Sequence, residues 1–391
     1  MIVMSIISID KEYVAGTYGR FPVELVSGKG SIVTDADGKN YIDMGSGIGV
    51  TAFGFGDEAW IAATTAQLGT LQHTSNLYYT EPCAKLARLL CEKTGLKKVF
   101  FANSGAEANE CAIKVARKYS AEKKGAEYST IITLVNSFHG RTLTTLAATG
   151  QDKFHELFQP LTPGFIHVPA NDIAALEAAV AEGKIAGIML ECVQGEGGVL
   201  PLTAEFVRAA AKLCEDNDIP LMIDEVQTGN GRTGMLYAYM NFGIRPDIVS
   251  TAKGLGGGLP IGACMMGEKV QNVLGPGDHG STYGGNPVAC AGALSIISRL
   301  DDKFLAEVRA KSEYVFSAFR NAPGVESVAG MGLMIGIKTV KPAREVLNSC
   351  MEKGVLCLTA KDKVRLLPAL NIPMEVLKEA VDVIKTACAD V

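Results

Sequence analysis

The sequence predicts an α/β protein: a mostly parallel, doubly wound sheet in a large domain, with a smaller α+β domain drawn from both termini. Three observations lead there. Between residues 45 and 287, short wholly apolar runs alternate with amphipathic helical stretches, the pattern of strands covered on both faces. Two of those runs end in ionisable residues, where open parallel sheets bind ligands. From Asp301 the texture changes to helix, paired strands, helix, paired strands and a last helix, so residues 1–44 and 288–391 are expected to form the smaller domain.

Composition narrows the possibilities. With 391 residues, 48% of them hydrophobic, the chain can bury a large core. A formal net charge of -5 and the absence of a basic stripe argue against a nucleic-acid partner. The ten cysteines are scattered, with no CxxC pair and no metal-binding Cys/His cluster, so they read as reduced core residues of a cytosolic protein that holds no metal. No stretch reaches the run of about 18 apolar residues that a membrane helix needs. The opening MIVMSIISI is apolar but short and runs into Asp10, Lys11 and Glu12, which reads as a weak strand or frayed segment.

In chain order, residues 21–44 are strand-like around the turn DADGKN and should join the C-terminal unit. The helix over 82–93 offers Leu86, Leu89 and Leu90 to the core. VFFANSGAEANECAIKVARKY is a strand, a tight turn and a helix that starts with the capping-box pattern Ser104-x-x-Glu107. Unpaired amides there attract anions, and Gly105 and Ala106 are too small to obstruct a phosphate; read alone, the segment is first of all a plain capped helix, since such boxes are common. The strand over 130–135 ends in NSFHGRT. The stretch from 149 to 176 reads as an excursion followed by a short helix, the strand over 185–190 ends in ECVQGEGGV, and a capped helix over 203–217 follows. Leu221–Ile223 then delivers Asp224, Glu225, Val226 and Gln227 to a strand end. The run 247–250 delivers Lys253 into a loop where Gly254, Gly256, Gly257 and Gly258 let the backbone pass close to a bulky group. IGACMMG is a strand lying antiparallel in the sheet, and Pro287 opens a helix to about Leu300.

An acid and a lysine so placed suit pyridoxal phosphate, whose aldehyde condenses with a lysine amine and whose ring nitrogen needs a carboxylate partner. Asp224 and Lys253 fill those roles, although a strand-end acid is also an ordinary cap and a lysine among glycines an ordinary loop charge.

DEVQTGNGRTG followed by STAKGLGGGLPIGA resembles the subgroup III, fold type I aminotransferases from about Tyr18 to Pro368, and its other motifs narrow the likeness to the branch acting on N2-acetylornithine. The resemblance implies that Ser104, Gly105 and Ala106 form the phosphate cup and that Phe138 stacks on the pyridine ring. It gives Glu225, Val226 and Gln227 places beside the cofactor. Arg141 would clamp a substrate carboxylate in two-pronged geometry, Tyr18 and Ser281 would touch substrate, and Thr282 would bond the phosphate of a partner subunit's cofactor, making a homodimer with composite sites. Glu196 would pair with Arg365, the one ionisable residue in the apolar VRLLP strand. His139, between Phe138 and Arg141, reads as a packing residue.

Departures accompany the likeness. Phe55, Asp57 and Glu58 stand where the family has His, His and Pro at the approach to the site, and Ile48 stands where ornithine-specific relatives carry tyrosine, which favours an acylated substrate. The implied reaction moves the terminal amine of N2-acetylornithine to 2-oxoglutarate, giving N-acetylglutamate 5-semialdehyde and glutamate, in arginine biosynthesis. Ornithine, succinylornithine, 4-aminobutyrate and a carrier-bound lysine remain alternative donors. A phosphate-binding regulatory or nucleotide-binding protein is the rival of another class, but no GxxxxGK[ST] pattern is present.

Overall fold

A computed structural model describes residues 5–389. Among these residues the largest sheet has seven strands, in the spatial order Lys98–Ala102, Gly262–Met266, Ile248–Thr251, Leu221–Asp224, Ile185–Leu190, Thr130–Leu134 and Phe165–Val168. Gly262–Met266 runs antiparallel to both of its neighbours, as its sequence context predicts, and the remaining pairs are parallel. Every residue of Ile185–Leu190, Leu221–Asp224 and Ile248–Thr251 is buried, which is why these strands read as unbroken apolar runs rather than alternating ones. Their register sets Asp224 beside Ser250 and Ile223 beside Leu190, so the three strands deliver the residues just beyond them to one end of the sheet.

The flanking sheets come from both ends of the chain. Leu25–Lys29, Ile32–Asp35 and Asn40–Asp43 form an antiparallel meander, joined in parallel by Val355–Leu356. Val325–Met331, Met334–Thr339, Lys363–Leu366 and Leu358–Ala360 form an antiparallel sheet. The run VLCLT is divided between them: its first half extends the N-terminal sheet and its second half pairs with the strand carrying Arg365. One short segment thus ties the two sheets together.

Two further expectations are corrected. Ile6–Tyr13 is a helix rather than a weak strand; the Ser5 hydroxyl caps it by accepting from the Ser8 amide at 3.2 Å, and a helix meets its backbone hydrogen bonds without the neighbouring edge that a strand would need. The first four residues of that apolar opening lie outside the described residues. Phe165–Val168, read as part of an irregular excursion, is an edge strand parallel to Thr130–Leu134. Its FIHV sequence is too short to display a period.

Candidate active site

The sheet's strand ends open into a cavity of about 580 Å³. Asp224, 3% exposed, forms its floor. Its Oδ2 accepts from Asn109 Nδ2 at 2.7 Å and from His139 Nδ1 at 2.8 Å, and its Oδ1 accepts from the Val226 amide at 3.0 Å. Three donors therefore hold the carboxylate in one orientation. Burial opposes charge on His139, but the Asp224 hydrogen bond and charge outweigh it and hold the imidazole pKa above its ordinary value. The other ring nitrogen, Nε2, is buried without a partner.

Glu225 is not a cavity residue. Side chains alternate sides along an extended chain, so it turns away from Asp224; its Oε2 accepts from the Thr228 hydroxyl at 2.5 Å and its Oε1 from the Tyr239 amide at 2.8 Å. Burial pushes its carboxyl up to about 7. Val226 and Gln227 do line the cavity.

Lys253 reaches the cavity from the first residues beyond Ile248–Thr251, with φ +46°, a left-handed conformation that costs a lysine energy and marks a constrained position. Burial lowers its pKa, with Glu196 and Asp224 opposing. The lowered pKa favours a neutral, nucleophilic amine.

At the cavity wall Ser104 caps the helix Gly105–Lys124, its hydroxyl accepting from the Glu107 amide at 3.2 Å. Glu107 reaches back one residue further than the capping-box pattern implies, to the Asn103 amide at 2.7 Å. The Gly105 and Ala106 amides precede the first intrahelical bond, from Ala108 N to Ser104 O. A Cβ on Gly105 would lie 2.6 Å from the Val226 side chain, so glycine is what lets the cup and the Asp224 strand approach each other.

Phe138 lines the cavity, with Arg141 beside it; the guanidinium lies 4.2 Å from the Phe154 ring centroid and 5.6 Å from that of Phe138. Tyr18 stands at the rim, 74% exposed. Behind Gln227, Arg365 Nη1 donates to Glu196 Oε1 at 2.5 Å and to Gln227 Oε1 at 3.2 Å. Glu196 is pulled in opposite directions by burial and by Arg365, and Arg365 prevails, lowering its pKa.

Some expected residues lie elsewhere. Thr282 is exposed and absent from this cavity's wall, and Ser281 meets the site only through Asn103, whose Nδ2 donates to Ser281 Oγ at 3.2 Å. Ile48 lies in a neighbouring cavity of about 350 Å³ with Phe21 and Leu358. Phe55, Asp57 and Glu58 do not line the main cavity: Asp57 caps the helix Glu58–Leu68 and accepts both prongs of Arg299 at 2.7 and 2.8 Å. That departure from the family pattern is used for packing.

Asn109 and Glu191 belong to the site, and neither stood out in the sequence. Both had a signal: Asn109 is a polar residue on a helix face otherwise rich in alanine, and Glu191 follows an apolar strand just as Asp224 ends one. His139, read as packing, is a hydrogen-bond partner of Asp224.

The residues fit pyridoxal phosphate. The Ser104–Ala106 cup would take the phosphate, Phe138 a ring face, Asp224 the ring nitrogen and Lys253 the aldehyde; when bound, the cofactor supplies that aldehyde and a ring that absorbs electrons.

The family model for class-III aminotransferases matches residues 13–388. The acetylornithine aminotransferase of Haemophilus ducreyi is 52% identical over 378 residues, 96% of each chain. That of Methanocaldococcus jannaschii is 45% identical over 391 residues, 98% of this chain and 97% of its own. Among solved structures, N-acetylornithine aminotransferase from Stenotrophomonas maltophilia superposes with a TM-score of 0.85 at 35% identity, covering 98% of both chains. The ornithine aminotransferase of Toxoplasma gondii gives 0.94 at 31% identity, covering 98% of this chain and 94% of that one. With its cup, carboxylate and lysine at the ends of one sheet, the chain belongs to the class-III aminotransferases, which work with pyridoxal phosphate.

Proposed function

We propose that this enzyme transfers the terminal amine of N2-acetylornithine to 2-oxoglutarate, yielding N-acetylglutamate 5-semialdehyde and glutamate, and so serves arginine biosynthesis. The observation that carries the reading is the 52% identity, across 96% of both chains, to an enzyme of that name. In this reading Asp224, fixed by Asn109 and His139, keeps a proton on the ring nitrogen. Lys253 moves the proton at the reacting carbon, its amine freed for the task by burial. Arg141 binds the substrate carboxylate; parked on the Phe154 and Phe138 faces, it remains within reach of the cavity.

One pocket must take a donor with an acylated tail and an acceptor with a second carboxylate. A permanently bare arginine would favour the dicarboxylate, so a movable mask is required. Glu196 on Arg365 is that mask: the pair is neutral while the donor binds, and the α-carboxylate of glutamate or 2-oxoglutarate takes Arg365 when Glu196 swings away.

Residues 45–287 form the cofactor-binding unit and residues 1–44 and 288–391 the smaller one, a division supported by all seven strands of the main sheet lying within 98–266. The working form is a cytosolic homodimer in which Thr282 serves the partner's cofactor and Ser281 its substrate. Support comes from Leu77, Tyr78, Tyr79 and Tyr283, all more than 60% exposed, and from Asn76, whose Nδ2 ties the two segments by donating to Ser281 O and Gly284 O. No helix among the described residues is long and apolar enough to cross a membrane.

Ornithine is the second reading, favoured by the 0.94 superposition on an ornithine aminotransferase. Initial rates with N2-acetylornithine, ornithine, succinylornithine and 4-aminobutyrate at fixed 2-oxoglutarate separate the two. N2-acetylornithine should give the highest kcat/KM; a higher value for ornithine would overturn the proposal.

A further inference from the structure

Glu191 shares the cavity with Asp224 and Lys253, and its own hydrogen bonds go to two loop amides. It follows Ile185–Leu190, is 5% exposed, and lines the cavity. Its two oxygens serve two different loops: Oε2 accepts from the Phe138 amide at 2.9 Å, and Oε1 accepts from the Gly195 amide at 3.4 Å. The first loop carries Phe138 and Arg141. The second carries Glu196, one residue beyond the anchored amide. The second loop is also pressed against the side chain beneath it, since a Cβ on Gly195 would lie 2.4 Å from Gln227 Oε1, the same oxygen that accepts from Arg365.

We infer that Glu191 is a positioning residue whose carboxylate pins the Phe138–Arg141 loop and the Gly195–Glu196 loop at one separation, so that donor and acceptor are exchanged by the Glu196 side chain alone. The inference rests on reading Glu196 and Arg365 as the mask. Burial pushes the Glu191 carboxyl up to about 7 while the Phe138 and Gly195 amides favour its ionised form, in which both oxygens accept; an amide has one acceptor and one donor, and would leave one loop amide facing an N–H. With Gly195 held, the Glu196 carboxylate moves about its own side-chain bonds, and with the Phe138 amide held, Arg141 keeps its distance from Arg365, which the strand Lys363–Leu366 fixes. With the Glu191 carboxylate lost, the Glu196 loop moves as well as its side chain, and the Phe138–Arg141 loop is freed too, so Arg141 loses its fixed spacing from Arg365.

The test uses Glu191→Gln, and Glu191→Asp as a variant that keeps the carboxyl group on a shorter stem. Amide hydrogen exchange of the cofactor-free protein should quicken by about tenfold in peptides covering 136–141 and 194–198 of Glu191→Gln, and stay unchanged in the 221–224 strand. In the holoenzyme, KM for 2-oxoglutarate should rise about tenfold, and KM for N2-acetylornithine by a clearly smaller factor, because the donor loses only the fixed placing of Arg141 and does not engage Arg365. Glu191→Asp should loosen one of the two segments and fall between Glu191→Gln and the unaltered enzyme in KM. Unchanged exchange at 194–198, or equal losses in both half-reactions, would overturn the inference and leave Glu191 as a strut for the fold. If the unaltered enzyme used no such donor, the proposed function would fall instead, and the exchange measurement would still judge the pinning.

Discussion

Replacing Asp224 with asparagine changes one atom at the centre of the site, and its consequences divide cleanly into stability and rate. The native carboxylate accepts at 2.7 and 2.8 Å on Oδ2 and at 3.0 Å on Oδ1. An asparagine has one acceptor. If its oxygen faces Asn109 and His139, its amide group confronts the Val226 N–H, and one buried donor goes unpaired at a cost of roughly 1–3 kcal/mol. The flipped orientation strands two donors and costs about twice that, so the first is expected. Rate suffers more than stability, because a neutral amide cannot keep a proton on the cofactor's ring nitrogen. Losing one aimed electrostatic contact costs on the order of 3–4 kcal/mol in barrier, roughly two to three decades in the chemical step. His139 should respond as well: without the Asp224 charge, burial is opposed only by the weaker pull of Glu191, and its pKa should fall. Stopped-flow single turnover gives the rate, thermal unfolding the stability, and an NMR titration of the imidazole the third readout. A single-turnover rate within a factor of about three of the unaltered enzyme would refute the placing of Asp224 at the ring nitrogen.

Lys253→Ala should abolish turnover while the cup still binds cofactor without a covalent link, and borohydride reduction of the unaltered holoenzyme should leave the cofactor on the Lys253 peptide; recovery on another lysine would displace the site. Arg365→Ala should impair the 2-oxoglutarate half-reaction by roughly 2–5 kcal/mol, the scale for removing one member of a buried charge pair, and largely spare the donor half-reaction; stopped-flow traces of each half, compared side by side, measure the difference. Glu225 yields a pH prediction. Its carboxyl lies near 7 when folded against an ordinary 4.5, so between those values the folded state holds a proton that the unfolded state has lost, and stability falls as pH rises through the window. Glu225→Gln should remove up to roughly 3 kcal/mol of that decline, seen as a flatter dependence of Tm on pH from 5 to 8; an unaltered slope would mean that other groups govern it.

What the sequence by itself determined was the frame and the ends of its strands. Buried parallel strands must be apolar throughout, so Ile185–Leu190 and Leu221–Asp224 announce themselves, and any charge at their ends stands out. Asp224, Lys253 and the Ser104 cap were legible for that reason, and Arg365 because a charge in an apolar strand needs a partner, though the resemblance was what named Glu196 as that partner. The resemblance to known aminotransferases supplied the remaining roles. Tertiary structure decided what depends on convergence. Asn109, His139 and Asp224 come from a helix, a loop and a strand far apart in the chain, and only the packed sheet brings their polar atoms within 2.8 Å. Glu191 is similar, for its meaning lies in two loops that the sequence does not show meeting. Glu225 turns away from the cavity because adjacent side chains on an extended backbone point to opposite sides, and which side faces the cavity is a property of the assembled sheet. Thr282 is exposed within the single chain, and the proposed composite site would need a second subunit to give it a ligand.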